Sequence, residues 1–167
     1  MKRYFVCFLT IGLLLAICPP CYGQSSKMAI VGTWKLICIE RVDWKDNVLG
    51  PYEWLGKKQI GLRIYDTSGY YAVQDMRDPP AASAGSLEEM ADAFRAYHAH
   101  FGTYEIKEME GKQGKEGVVL HHLQGSLMPG KVGMYYHWTF KISGNRLMIT
   151  VRQDAMRLTY ERVEKKK

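Results

Sequence analysis

Histidine is the residue type in this chain with the widest capacity for chemistry, and four of the five histidines occur in close pairs. A neutral imidazole can bind a metal ion or move a proton near neutral pH. His121 and His122 are adjacent in an apolar run, and a strand would send their side chains to opposite faces. His98 and His100 fall at the predicted end of a helix, where residues two apart do not share a face. Neither pair predicts a shared set of ligands, so we expect no metal ion and no other cofactor.

Proton transfer is a more open possibility, and it depends on which side chains face the interior. His121 is expected to point inward, because His122 and Gln124 form the more polar face of the same strand. An imidazole in a desolvated interior can act as a general acid or base on a bound molecule. If the protein is an enzyme, His121 is the candidate catalytic residue, and otherwise no catalytic residue is predicted. The sequence also contains two acids, Asp75 and Glu105, for which the alternation does not decide between an inward side chain and a surface charge.

Other patterns that carry chemistry are missing from the sequence. Cys38 is the one cysteine outside the first 23 residues, and its apolar neighbours indicate a small buried side chain rather than a nucleophile. The sequence contains no phosphate-binding loop, no dinucleotide fingerprint and no Gly-x-Ser-x-Gly motif. Hydrolysis and nucleotide chemistry are therefore not predicted.

Residues 1–23 have the layout of a secretory signal peptide: a positive start, an apolar run over 4–17 and a stretch of small or turn residues. Cleavage is expected after Gly23. A competing interpretation is a lipoprotein signal ending at Cys18, which the bulky Ile17 disfavours because such signals take a small residue there. We expect a secreted or periplasmic protein, associated with a membrane only if Cys18 is lipidated.

The charge of the chain argues against nucleic acid as a partner. The formal charge of +6 falls by the two charges of Lys2 and Arg3 to +4 once the leader is removed. Three of the remaining charges are the consecutive lysines of the tail at 164–167. The rest of the chain carries no basic stripe of the kind that follows phosphates.

Alternating apolar and polar residues between turn signals predict a mostly β domain over residues 28–163. Asp66-Thr67-Ser68-Gly69 and Ser143-Gly144-Asn145 are hairpin turns. The predicted strands are 31–41, 59–65, 70–76, 102–110, 117–125, 133–142, 146–152 and 157–163. Residues 43–56 form a long turn region with a possible hairpin arm. Eight antiparallel strands, mostly linked by hairpins, are enough to close an up-and-down barrel.

One helix interrupts this strand pattern. Ser86 followed by Glu89 is a capping box, and an apolar stripe of Leu87, Met90, Ala91, Phe94 and Tyr97 continues from it at helical spacing. The helix is expected to end near His100 and to pack its stripe on the barrel.

The interior predicted from the alternation is aromatic, with polar tips. Such an interior suits a small hydrophobic or amphipathic molecule with one or two hydrogen-bonding groups. The predicted ligand-binding residues are Tyr65, Tyr71, Phe101, Tyr104, His121, Tyr136, Trp138 and Phe140.

Several motifs, in order, resemble those of the bacterial and fungal lipocalin-like domain family. Gly32-Thr33-Trp34 is similar to the Gly-x-Trp motif of lipocalins, in which the tryptophan packs across the closed end of the barrel. The other matching segments are 61–65 with 68–70, 101–105, His121-His122 with 125–127 and Pro129, and 158–163. The resemblance extends from about Ile30 to Val163.

This resemblance implies a calycin-type barrel, and it does not imply one activity, because a fold hosts many functions. The chain departs from the family after Pro129, where Gly130 and Lys131 replace the usual asparagine and tryptophan. We expect the protein to bind a small hydrophobic molecule. The alternative is a non-hydrolytic enzyme, such as an isomerase or cyclase, that uses acid–base chemistry inside the barrel.

Overall fold

A computed structural model describes residues 29–53, 55–79, 85–109 and 115–164, which fold mainly as strands. The predicted signal peptide, Cys18 and the lysines at the end of the tail lie outside the described residues. The elements are β1 (Gly32–Val42), β2 (Val48–Pro51), β3 (Gln59–Tyr65), β4 (Tyr70–Arg77), α1 (Leu87–Arg95), β5 (Tyr97–Glu108), β6 (Glu116–Ser126), β7 (Tyr135–Ser143), β8 (Arg146–Val151) and β9 (Met156–Arg162).

Eight of these strands close a barrel. Each of β3 to β8 pairs antiparallel with the next strand, and β9 and β3 both pair with β1, so the sheet returns on itself. The short strand β2 pairs with the far end of β1 as an arm outside the ring. The predicted eight-stranded antiparallel barrel with one helix is therefore confirmed.

Tryptophan seals one end of the barrel. Trp34 is fully buried, and its indole N–H donates a hydrogen bond of 2.8 Å to the carbonyl of Ile30. The guanidinium of Arg162 lies 4.0 Å from the centre of the indole ring and donates to the carbonyls of Val31 and Ala29. Stacking and hydrogen bonds together fix the chain across this end.

The opposite end of the barrel is open. Because consecutive strands run antiparallel, alternate connections lie at opposite ends. The tight turns after β3 and β7 lie at the sealed end, and the β1–β3, β4–β5, β6–β7 and β8–β9 connections lie at the open end. The helix α1 belongs to the β4–β5 connection and stands beside this opening.

The helix is shorter than predicted. Its capping box forms as expected, with Ser86 accepting from the backbone of Glu89 and the Glu89 side chain bonded back to the cap. It ends at Arg95, however, and Tyr97 already pairs with Met76 of β4. Strand pairing with β4 therefore overrides the helical periodicity that Tyr97 continues.

The apolar stripe of α1 does not pack on the barrel as predicted. Leu87 is 85% exposed, Met90 50% and Phe94 47%, and no residue of the helix is buried. Arg77 forms an ion pair with Asp92, which ties the helix to the end of β4. Within the described ranges, no helix is long and apolar enough to cross a membrane.

Candidate functional site

A cavity of about 470 Å³ occupies the open half of the barrel. Its wall is largely apolar: Leu123 of β6, Met156 and Leu158 of β9, and Tyr136 and Trp138 of β7 line it. A volume of this size falls in the range of small-molecule sites. The rest of the interior, toward Trp34, is filled by side chains.

Arg63 of β3 lies at the base of the cavity, where the cavity meets the filled half of the barrel. We call this boundary the floor. Its side chain is on the inward face of β3 and is 1% exposed. The guanidinium lies 5.3 Å from the ring centre of Trp138 and 5.1 Å from that of Tyr160, and it donates to the Tyr65 hydroxyl at 3.1 Å. Arginine keeps its positive charge in proteins, so the barrel holds a buried cation beside its cavity.

A chain of hydrogen bonds from Arg63 through Tyr65 determines which ring nitrogen of His121 carries the proton. Arginine can only donate, so the Tyr65 oxygen accepts from it, and its own proton is left for His121 Nε2 at 2.8 Å. Burial first, then Arg63 and His100, hold the pKa of His121 well below its usual value. His121 is therefore neutral, with its proton on Nδ1, an atom that has no hydrogen-bond partner among the described residues.

His100 is a second neutral imidazole, at the cavity itself. Its Nδ1 lies 3.0 Å from the Tyr71 hydroxyl, and its Nε2 is buried without a partner in the described part of the chain. Burial, assisted by His98 and Arg63, lowers the pKa of His100 to about 2. Burial also raises the pKa of Tyr71, so this hydroxyl stays protonated.

Asp75 is an acid buried in the barrel wall. It is fully buried, and neither carboxylate oxygen has a hydrogen-bond partner among the residues described. Gly61 faces it from β3, and the absence of a side chain there gives the carboxylate its space. His98, the cross-strand neighbour of Asp75 in β5, lines the cavity, and its Nδ1 lies 3.8 Å from a carboxylate oxygen of Asp75. The other acid left open by the sequence, Glu105, is exposed.

The predicted ligand-binding residues fall into three groups. Tyr136 and Trp138 line the cavity. Phe101 is 55% exposed on the outside, so its predicted inward position is wrong; it alternates with the buried His100 and Gly102. The remaining five are buried but do not line the cavity: Tyr65, Tyr71, Tyr104, His121 and Phe140.

These five residues pack with one another and with the surrounding core. The rings of Tyr65 and Tyr104 lie 4.9 Å apart, and those of Tyr71 and His121 lie 4.4 Å apart. The Tyr104 hydroxyl donates to the Asp66 carbonyl at 2.8 Å. Their role in the described structure is to fill the sealed half and to support the floor from below.

Several polar residues of the cavity were not among the predicted site residues: the half-buried or exposed Ser126, Lys131, Gln153 and Asp154, and the more deeply placed Arg63, His98 and His100. Arg63 shares the inward parity of Tyr65, so the alternation contained the signal for it. His98 and His100 were placed at the end of the helix, which is wrong: both lie in β5, where residues two apart share a face. The shared face brings both imidazoles to the cavity.

The described residues contain no group of three or more histidine, cysteine or acidic side chains arranged to hold a metal ion. Comparison with protein-family models gives one match, to the lipocalin-like domain, over residues 31–166. No curated protein sequence matches the chain.

Proposed function

Because the chain belongs to the lipocalin-like domain family, we propose that it binds a small amphipathic molecule in the cavity at the open end of its barrel. The observation that carries this proposal is the division of the interior into a filled half and an open half, with apolar walls above a polar floor. A molecule placed there buries its apolar body against the wall and brings its polar end to Arg63.

The apolar wall supplies the main driving force for binding. Each buried methylene group contributes about 0.8 kcal/mol, so each carbon added to the apolar body should tighten binding by about fourfold. The sealed end and the packed core below the floor let the cavity keep its shape without a ligand, which lowers the ordering cost of binding.

Export is part of the proposal. The leader-like residues 1–23 precede the family match, which begins at residue 31. We propose that the protein works outside the cytoplasm, either free or, if Cys18 is lipidated, attached to a membrane. Mass spectrometry of the mature chain from its native host would test this: a first residue of Gln24 supports the free form, and an intact leader contradicts export.

The alternative of an acid–base enzyme that uses His121 is not proposed. His121 does not line the cavity, is fully buried and has its Nε2 engaged by Tyr65. A bound molecule above the floor would therefore not reach its imidazole.

Ligand titration with two matched variants tests the binding proposal. Met134 lines the cavity at its rim, while its neighbour Tyr135 points outward and is 63% exposed. We expect fatty acids and naphthalene derivatives to bind with saturation in calorimetry and to change the fluorescence of Trp138. Met134→Glu should weaken binding by about tenfold, because it places a charge against the apolar wall, and Tyr135→Glu should not. If no compound binds, or if both variants bind like the parent, the cavity is not a binding site.

A further inference from the structure

We propose that the polar end of the bound molecule is an anion of the carboxylate class, held at the floor by Arg63 and Trp138. This inference rests on the proposed binding function and adds the chemical class of the ligand.

The floor offers donors that the protein itself does not use. Arg63 Nε and Trp138 Nε1 are buried and have no hydrogen-bond partner among the described residues. Both residues line the cavity, at 1% and 5% exposure. Guanidinium and indole nitrogens can only donate, so the complementary group must be an acceptor. The Arg63 guanidinium lies 5.3 Å from the Trp138 ring centre, so the two donors belong to neighbouring side chains, and two donors suit the two oxygens of a carboxylate.

The aromatic rings beside Arg63 hold its guanidinium in place. Trp138 and Tyr160 lie within 5.3 and 5.1 Å of it, and the Tyr65 hydroxyl accepts from Nη1. The side chain therefore need not reorganise to meet an anion, and surrounding apolar groups strengthen the charge-assisted hydrogen bond.

Two further ionisable side chains line the cavity, Lys131 and Asp154, which are exposed and have opposite formal charges. The groups buried near the floor do not remove the preference for an anion. His100 and His121 are neutral, so neither adds charge to the floor. Asp75 is buried beside Gly61 and does not line the cavity, whereas its cross-strand neighbour His98 does. Asp75 balances part of the charge of Arg63 without occupying its free donor. A cationic ligand, in contrast, would meet Arg63 at the floor.

A ligand series with one tail and three head groups tests the inference on the full chain. Dodecanoate, dodecanol and dodecylamine are compared by calorimetry at pH 7, below the micelle concentrations of the charged compounds and the solubility limit of the alcohol. Naphthylacetate, naphthylethanol and naphthylethylamine form a second series, whose aliphatic amine is protonated at this pH. We expect each carboxylate to bind about ten to a hundred times more tightly than its alcohol, and each amine to bind most weakly. Equal binding of carboxylate and alcohol would overturn the anion inference and leave the binding function standing. No binding by either series would contradict the binding function itself.

Variants of the floor give an independent test. Arg63→Met keeps an apolar stem and should abolish the preference for dodecanoate over dodecanol while retaining the binding of dodecanol. Trp138→Phe keeps a ring, removes the N–H and should reduce the preference by a smaller factor. Arg146→Met, at an exposed position of β8, is the control and should retain the full preference.

Folding of each variant is checked by circular dichroism and urea denaturation. If Arg63→Met does not fold, Trp138→Phe and the ligand series on the parent protein decide the question. A folded Arg63→Met protein that still prefers dodecanoate would show that Arg63 supports the core and does not hold the ligand.

Discussion

Mild acid should destabilise this protein strongly, because two histidines are buried in their neutral form. His100 has a pKa of about 2 in the folded chain, and the pKa of His121 is also held well below its usual value. In the unfolded chain both return to the reference value near 6.5. Below about pH 6.5 the unfolded state therefore takes up two protons that the folded state does not bind, and stability falls as the pH falls.

The size of the effect follows from the difference in pKa. One pH unit corresponds to about 1.36 kcal/mol for each proton, and the interval from pH 6.5 to pH 5 lies above the folded pKa of His100 throughout. His100 should therefore remove about 2 kcal/mol by pH 5, and His121, whose pKa is shifted in the same direction, should add to this loss. Since small domains have about 5–15 kcal/mol of stability in total, the loss is large. Above pH 7 this contribution is fully present and does not change further.

Urea denaturation between pH 8 and pH 5, followed by circular dichroism, measures this dependence. His100→Phe should remove about 2 kcal/mol of the acid-induced loss of unfolding free energy at pH 5, and the double variant with His121→Phe should remove more of it. The slope against pH is compared, because each substitution also changes stability at pH 7 by removing a tyrosine–histidine hydrogen bond. His137→Phe, on the exposed face of β7, is the matched control and should keep the dependence of the parent.

Two results would refute this reasoning. The first is an unfolding free energy of the parent protein that is the same at pH 7 and pH 5. The second is a double variant that loses as much stability in acid as the parent. Either would mean that the two imidazoles are not neutral, desolvated groups in the native barrel.

Three further changes test the packing of the fold. Gly61→Ala would place a methyl group against the Asp75 carboxylate and 2.7 Å from a backbone carbonyl, so urea denaturation should show a loss of about 1–3 kcal/mol; an unchanged midpoint would contradict that contact. Phe140→Ala should lower the free energy of unfolding by about 3–5 kcal/mol, because Phe140 is buried. Phe101→Ala should lower it by less than about 1 kcal/mol, because Phe101 is exposed. Comparable losses for the two variants would show that Phe101 is buried. Ser86→Ala should speed amide hydrogen exchange throughout α1, at a cost of about 1 kcal/mol of helix stability, whereas unchanged exchange would show that the cap is dispensable.

The period of the side-chain pattern was sufficient to predict most of the barrel. In β7 the alternation identified Tyr136, Trp138 and Phe140 correctly as inward residues. The turn at 66–69 and the capping box at Ser86 were also readable, because each depends on a few neighbouring residues. Local sequence contains the information for such features, since they form through contacts close along the chain.

The helix end shows where local information fails. Helical spacing continues through Tyr97, but the strand edge of β4 supplies hydrogen-bond partners from Met76 onwards, and only the folded barrel brings that edge alongside. Because of this pairing, His98 and His100 lie in a strand and share its inward face, and they do not end a helix. It also left the stripe of Leu87 and Phe94 exposed.

Sequence alone therefore determined which strands form, that they suffice for a barrel, and which face of most strands is inward. The depth of each inward residue was decided only by the tertiary structure. Tyr65 and Trp138 have the same inward parity, yet one fills the sealed half and the other lines the cavity. Depth depends on the stagger between strands and on which side chains meet across the barrel, and neither is a property of any single strand. For that reason the alternation indicated that Arg63 faces inward, but only the closed barrel placed its charge beside the cavity.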